Sequence, residues 1–127
     1  MSKPPNIPDD VRRFILTGVP SVPFAEAVLL LRRRAGEKLD ASAVAKSLYV
    51  PQRTANELLV LGLDSGVLSR DEAGYCYQPR DEELARAWDR FANCYGTHLI
   101  AVTQLIHGAK PNSAQLFADA FKLKREP

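Results

Sequence analysis

The segment from residue 39 to residue 77 constrains the fold of this chain more than any other. A short apolar stripe with helical spacing ends at Leu48, and Pro51 suits the first position of a second helix that continues to Ser65. Two short segments rich in strand-forming residues follow and are joined by residues 71–74, which predicts a β-hairpin. Two short helices followed by a hairpin predict a mostly α fold with a small β-hairpin.

Residues that commonly cap helices mark the boundaries of these two predicted helices. Either Asp40 or Ser42 can serve as the N-cap of the first helix, because both side chains carry an oxygen that can accept a backbone N–H. The second helix ends at Gly66, a residue type common at helix C-termini. Only Tyr49 and Val50 separate the two helices. The local signals therefore agree on a tight helix-turn-helix.

Two further helices are predicted before this segment. Residues 1–8 contain three prolines and predict an extended arm. A short helix then carries Val11 and ends at Gly18. Ser21 is a plausible N-cap of the next helix, which has Pro23 in its first turn.

A long helix is predicted after the hairpin. From Asp81 an apolar stripe with a spacing of three and four continues to Gly108, which corresponds to one rod of about 40 Å. Ser113 can cap a final amphipathic helix. We therefore expect an arm over residues 1–8, a domain over 9–79 and a C-terminal helical extension over 80–127.

Length and composition are those of one soluble globular domain, with 127 residues, 46% hydrophobic and 25% charged. The longest apolar run, Ala25–Leu31, is far shorter than the roughly 20 residues that cross a bilayer, so we expect a cytoplasmic protein without a membrane partner. Cys76 and Cys94 lack CxxC spacing and predict neither a disulfide framework nor a zinc site. No metal or cofactor is expected.

No sequence motif indicates catalysis. The chain has no glycine-rich phosphate loop, no HExxH and no GxSxG. Cys94 and His98 are four residues apart on one predicted helix face and could pair as nucleophile and base, or as two metal ligands. Because no third ligand or orienting group is nearby, a core cysteine beside a partly exposed histidine is the preferred interpretation. We do not expect an enzyme.

The helix 42–48, the turn after it, the helix 51–65 and the segment Gly66-Val67-Leu68 together resemble the winged helix-turn-helix of MarR-like bacterial transcription regulators. The likeness covers about a quarter of the chain. It implies a winged helix-turn-helix and a DNA-binding regulator. With the helices predicted above, the expected fold is a winged helix-turn-helix with a long C-terminal helix and a short terminal helix. Residues 105–122 are similar to the tails of small bacterial winged-helix-like proteins, which supports the family and adds no function.

The resemblance implies that the N-terminal residues of the second helix contact base edges in the major groove of double-stranded DNA. Arginine suits guanine, and asparagine or glutamine suits adenine. The implied base readers are Gln52, Arg53, Asn56 and Glu57, and the implied backbone contacts are Lys46 and Arg70. The alternative is that these side chains form only the solvated surface of a helix.

Charge and apolar surface depart from the pattern of that family. Residues 39–74 carry three cations and five anions, a net charge of −2, and the hairpin turn contains Asp71 and Glu72 where the family usually carries cations. Val60, Leu61 and Leu63 make the second helix apolar on more than one face. These features favour an alternative, a winged-helix module that binds another protein with little or no DNA binding.

The long predicted helix and the final helix suggest a homodimer, as in MarR-like regulators. Dimerisation would set two recognition helices about 34 Å apart, one turn of B-DNA. The residues expected at a dimer or partner interface are Trp88, Phe91, Tyr95, Leu99, Val102, Ile106, Phe117 and Phe121. The alternative is that this stripe folds back to cover the core of its own domain.

Overall fold

A computed structural model describes residues 7–108 of the chain. These residues form six α-helices and one two-stranded antiparallel sheet, so the predicted mostly α fold with a small hairpin is confirmed. The elements are α1 Asp9–Gly18, α2 Val22–Arg33, α3 Ala41–Leu48, α4 Gln52–Asp64, β1 Leu68–Asp71, β2 Gly74–Tyr77, α5 Glu82–Thr97 and α6 Leu99–Gly108. Most of the predicted arm and the predicted final helix with Phe117 and Phe121 lie outside the described residues.

Side-chain caps fix the start of three helices. The Ser21 hydroxyl accepts the Phe24 N–H at 3.2 Å and so begins α2. Asp40 rather than Ser42 caps α3, since its carboxylate accepts the Ala43 N–H at 2.8 Å. The Asp81 carboxylate caps α5 in the same way. Each cap satisfies a backbone N–H that the first turn of a helix leaves without a partner.

Helix α2 lies at the centre of the core. Seven of its twelve residues are buried, and it contacts α3, α4, α6 and β2. Beside it, the buried rings of Trp88 and Phe91 pack edge to face at 5.2 Å, and Phe14 meets Trp88 at the same distance. A helix apolar on nearly all sides is typical of a position surrounded by other elements.

The prediction of a single helix from Asp81 to Gly108 is wrong, because the helix is interrupted at His98, between α5 and α6. The backbone of His98 leaves the helical region with φ −133° and ψ 51°. Gly96 has low helix propensity. The Thr97 hydroxyl donates to the Asn93 carbonyl at 3.0 Å, a local bond that competes with the helical ladder. The break lets α6 turn back and pack against α1 and α2.

This packing corrects the prediction that the apolar stripe forms a dimer or partner interface. Trp88, Phe91, Val102 and Ile106 are buried in the core of their own molecule, so a partner cannot contact them in this conformation. The alternative expectation, that the stripe covers the core of its own domain, describes these four residues. Leu99 stays half exposed.

Tyr95, the remaining described member of the stripe, makes an intramolecular contact. It is half-buried, and its hydroxyl donates to the Glu26 carboxylate at 2.5 Å. Burial and this hydrogen bond raise the pKa of the Tyr95 hydroxyl. The side chain thus links α5 to the central helix α2.

The hairpin is attached to the helical part through the residue that precedes α3. Strand β1 pairs with β2 in the register Leu68 opposite Tyr77 and Asp71 opposite Gly74. Leu39 and Tyr75 exchange two backbone hydrogen bonds of 2.8 Å, which adds a one-residue bridge to the outer side of β2. The hairpin is therefore held beside the N-terminus of α3.

Within residues 7–108, no helix by itself has both the length and the apolar character needed to cross a membrane. The pair α1 and α2, bent by 108°, passes that test jointly by length and composition alone.

Candidate functional site

Helix α4 presents its first two turns to solvent and buries its opposite face. Ala55, Leu58, Leu59 and Gly62 are buried against the core. The four residues predicted to read bases, Gln52, Arg53, Asn56 and Glu57, are all exposed. The helical period of 3.6 residues produces this division, since the two sets alternate at spacings of three and four. The structure thus places all four predicted readers on one accessible surface.

A groove of about 350 Å³ lies between the N-terminal ends of α3 and α4 and the hairpin turn. Gln52 and Asn56 line it from α4, and Arg70 lines it from β1. The other three predicted site residues, Lys46, Arg53 and Glu57, are exposed and do not line this groove. The fold therefore brings together three of the six predicted residues from two elements that are separate in sequence.

The arginines of this surface differ in how firmly they are held. Arg53 is 90% exposed and lies 3.7 Å from Glu57 one turn later, an exposed ion pair of little energetic weight. The guanidinium of Arg70 lies 5.5 Å from the centre of the Tyr75 ring on the opposite strand, within the range of a cation–π contact. Arg70 is thus held beside the groove, whereas Arg53 projects into solvent.

An ion pair that sequence reasoning missed ties the hairpin turn to the loop before α3. The Lys38 ammonium donates to the Asp71 carboxylate. The same carboxylate accepts the Ala73 N–H at 2.8 Å. These two hydrogen bonds, that from Lys38 first, lower the pKa of Asp71, and the carboxylate in turn raises the pKa of Lys38. The partners are 33 residues apart, and no local signal in the sequence links them.

This pairing changes the electrostatic balance of the surface. Counted with Lys38, the surface from residue 38 to residue 74 has four cations and five anions. Lys38 offsets Asp71 and Arg53 offsets Glu57. Of the four cations between residues 38 and 74, Lys46 and Arg70 form no ion pair with another described residue and are available to an external anion.

Comparison of the chain with protein-family models, with curated proteins and with solved structures finds no match. The function is therefore inferred from the residues of the site.

Cys94 and His98 lie along a second cleft, of about 460 Å³, between α1 and the end of α5. Burial raises the pKa of the Cys94 thiol, which opposes formation of the nucleophilic thiolate. The hydroxyl of Thr97 lies 2.8 Å from Nδ1 of His98. Within residues 7–108, no group of three potential ligands could hold a metal ion.

A third cleft, of about 310 Å³, separates the end of α1 from the C-terminal half of α4. Leu16 and Leu61 line this cleft and are exposed, and Val60 is exposed beside Leu61. The sequence prediction that α4 is apolar on more than one face is confirmed at these positions. Leu63 instead packs against the core of the molecule.

The pKa of Asp71 should depend on Lys38. In wild-type protein, the carboxylate contact contributes stability above the ordinary Asp pKa of 3.8, and that contribution is lost as the pH falls through the lowered pKa. The contribution from Lys38 is present below 10.5 and is lost as the pH rises through its raised pKa. In Lys38→Met we expect the carboxyl titration of Asp71, followed by carbon NMR, to move to higher pH.

Lys46→Met is the matched control, because Lys46 is also an exposed lysine of this surface but forms no ion pair within the described residues. It should leave the Asp71 midpoint unchanged. Equal midpoints in wild type and Lys38→Met would show that the two side chains are not paired in solution.

Proposed function

We propose that the chain is a DNA-binding transcriptional regulator that uses a winged helix-turn-helix. The observation that carries this proposal is the outward face of α4, whose first two turns carry four exposed polar residues beside a hairpin that is fixed to the same domain. A helix of this kind fits the major groove, which is about 12 Å wide. Helices α3 and α4 would be the helix-turn-helix, and β1 and β2 the wing.

The side chains of this surface have distinct roles in the proposal. Arg53 reads guanine O6 and N7, since its side chain is 90% exposed and its guanidinium can form a bidentate contact. Gln52 and Asn56, which line the protein groove between α4 and the hairpin turn, read adenine. Lys46 on α3 and Arg70 on β1 contact backbone phosphates. Glu57 lies 3.7 Å from Arg53 in the free protein, and its carboxylate can accept a hydrogen bond from cytosine N4.

A homodimer remains part of the proposal, because two copies would match a palindromic site with half-sites about 34 Å apart. Its contacts must lie outside the buried part of the α5 and α6 stripe. Leu99 and Ile100, at the start of α6, are 51% and 72% exposed and are apolar residues that such a contact could bury.

Arg53→Ala is expected to weaken binding to a selected duplex by about 1–3 kcal/mol, because a bidentate contact to guanine is lost. The duplex is obtained by selection from a randomised library with the full chain, and affinity is then measured by fluorescence anisotropy. For the wild-type protein, the logarithm of the association constant should fall linearly with the logarithm of the salt concentration. Arg53→Ala should also lose preference at one base position.

Arg86→Ala is the matched control for this substitution. Arg86 is exposed and forms an ion pair with Glu82 one turn earlier, at 3.4 Å, so it resembles the Arg53 and Glu57 pair in chemistry and lies on α5. It should leave duplex affinity within error of wild type. A library that yields no enriched duplex, or equal losses in both variants, would count against DNA recognition by α4.

A second function, binding of another protein, is favoured by two observations. The surface from residue 38 to residue 74 has one anion more than cations, and exposed Val60 and Leu61 lie beside the apolar cleft at the end of α1. Phosphate neutralisation supplies most non-specific affinity for DNA, and this surface offers little of it. Failure to enrich any duplex is the outcome that favours this second function.

A further inference from the structure

Tyr49, the first residue of the turn between α3 and α4, has an unusual backbone conformation. Its φ of 60° and ψ of 45° lie in the left-handed region, and it is the one non-glycine residue with positive φ among residues 7–108. Glycine or asparagine normally takes this position at the end of a helix, because a Cβ atom crowds the following carbonyl oxygen. Tyrosine is therefore an unfavourable residue here.

The folded chain does not offset this cost by packing the ring. Tyr49 is 94% exposed, the most exposed of the large hydrophobic residues in the described chain. The end of α3 is closed by backbone groups alone, since the N–H groups of Tyr49 and Val50 both donate to the Ala45 carbonyl. Any residue that accepts the left-handed conformation would preserve these bonds. Strained backbone positions cluster at functional sites, including those that hold ligands.

The position of Tyr49 fits a contact with the DNA backbone. The turn leads directly into the first turn of α4, where the proposed base readers lie. In a helix-turn-helix the helix before the recognition helix crosses the DNA backbone, so the residue that ends α3 lies near the phosphates. Exposed Lys46 precedes Tyr49 by three residues and exposed Arg53 follows it by four.

The acidic residue Glu26 lines the same cleft of about 320 Å³ as Tyr49. A carboxylate near the turn would oppose a phosphate, but that of Glu26 is hydrogen-bonded to the Tyr95 hydroxyl.

We propose that the Tyr49 hydroxyl donates a hydrogen bond to a backbone phosphate of the DNA duplex while the first turn of α4 reads bases. This inference rests on the proposed DNA-binding function. Tyrosine hydroxyls are ordinary donors to phosphate oxygens. The contact carries no charge of its own, which separates it from the contacts proposed for Lys46 and Arg70.

The test uses two variants of the full chain and the selected duplex. Tyr49→Phe keeps the ring and the backbone conformation and removes only the hydroxyl. We expect an unchanged Tm and a loss of about tenfold in affinity, the size of one hydrogen bond to a charged group. Tyr49→Asn should lose at least as much affinity and raise Tm by about 2–5 °C, since asparagine tolerates the left-handed conformation.

The salt dependence of binding discriminates this contact from an ionic one. Because tyrosine releases no counterion, both Tyr49 variants should keep the wild-type slope of log affinity against log salt. Lys46→Ala, by comparison, should reduce the magnitude of that slope by about 1.

The possible outcomes separate this proposal from the one on which it depends. If the wild-type chain enriches no duplex, both proposals fail. If the wild type binds duplex and Tyr49→Phe binds equally well, only the role of Tyr49 is overturned. A Tm lowered by several degrees in Tyr49→Phe, or a shallower salt slope, would assign the hydroxyl to the fold or to an ionic network and would also overturn the proposal.

Discussion

Trp88→Ala is expected to lower the free energy of unfolding by about 3–5 kcal/mol, the usual cost of truncating a buried aromatic residue. The Trp88 side chain is only 2% exposed. It contacts the rings of Phe14 and Phe91 edge to face at 5.2 Å and the ring of Phe24 at 6.1 Å. The substitution leaves a cavity where α1, α2 and α5 meet. Urea unfolding followed by circular dichroism measures the loss.

Leu99→Ala is the control, since Leu99 belongs to the same predicted apolar stripe but is half exposed. The substitution should change the free energy of unfolding by at most about 0.5 kcal/mol, as most surface substitutions do. The loss in Trp88→Ala should not depend on protein concentration, because the contacts are intramolecular. A variant of unchanged stability with an altered oligomeric state would show instead that Trp88 lies at an interface between copies.

Gly74→Ala is expected to cost about 2–4 kcal/mol and to detach the hairpin from the helical part of the domain. Gly74 has a φ of +140°, which side chains of L-amino acids rarely adopt. An added Cβ would also lie 2.8 Å from the Leu39 carbonyl oxygen, a backbone atom in the bridge to Tyr75. Both effects act at the point where the hairpin is attached.

Gly36→Ala is the control that carries the conformational effect without the steric one. Gly36 also has a positive φ, of +92°, but a Cβ there would meet nothing within 4 Å. It should cost about 1 kcal/mol from conformation alone. Faster amide hydrogen exchange at Leu39 and Tyr75 in Gly74→Ala, and not in Gly36→Ala, is the expected signature. Equal exchange in both variants would mean that the bridge does not hold the hairpin.

Much of the fold was predictable because its signals are local. Helices α2, α3 and α4 and the hairpin were predicted from caps, glycines and apolar spacing, and each of these acts within a few residues of the chain. The exposed face of α4 followed in the same way, since helical periodicity alone separates Asn56 from Leu59. Ser21 caps α2 as predicted, and Asp40, one of the two predicted cap candidates, caps α3.

Other features were not predictable because they depend on residues distant in sequence. The apolar stripe of α5 continues through Thr97 into α6, so periodicity gave no reason to end the helix there. The break at His98 allows α6 to pack against α1 and α2, which are distant from it in sequence. The unusual conformation of Tyr49 was also missed, since no neighbouring residue requires a left-handed backbone at a tyrosine.

Helices α1 to α4, the hairpin and the polar face of α4 follow from the local sequence, because they arise from backbone propensity and from the helical period. Only the packing of the domain buries four residues of the predicted interface stripe, Trp88, Phe91, Val102 and Ile106, in the core. The same packing pairs Lys38 with Asp71 and attaches the hairpin to Leu39 through Tyr75. Burial and ion pairing require groups from separate segments to meet. Their free energies depend on which segments become neighbours, and that depends on the packing of the whole domain.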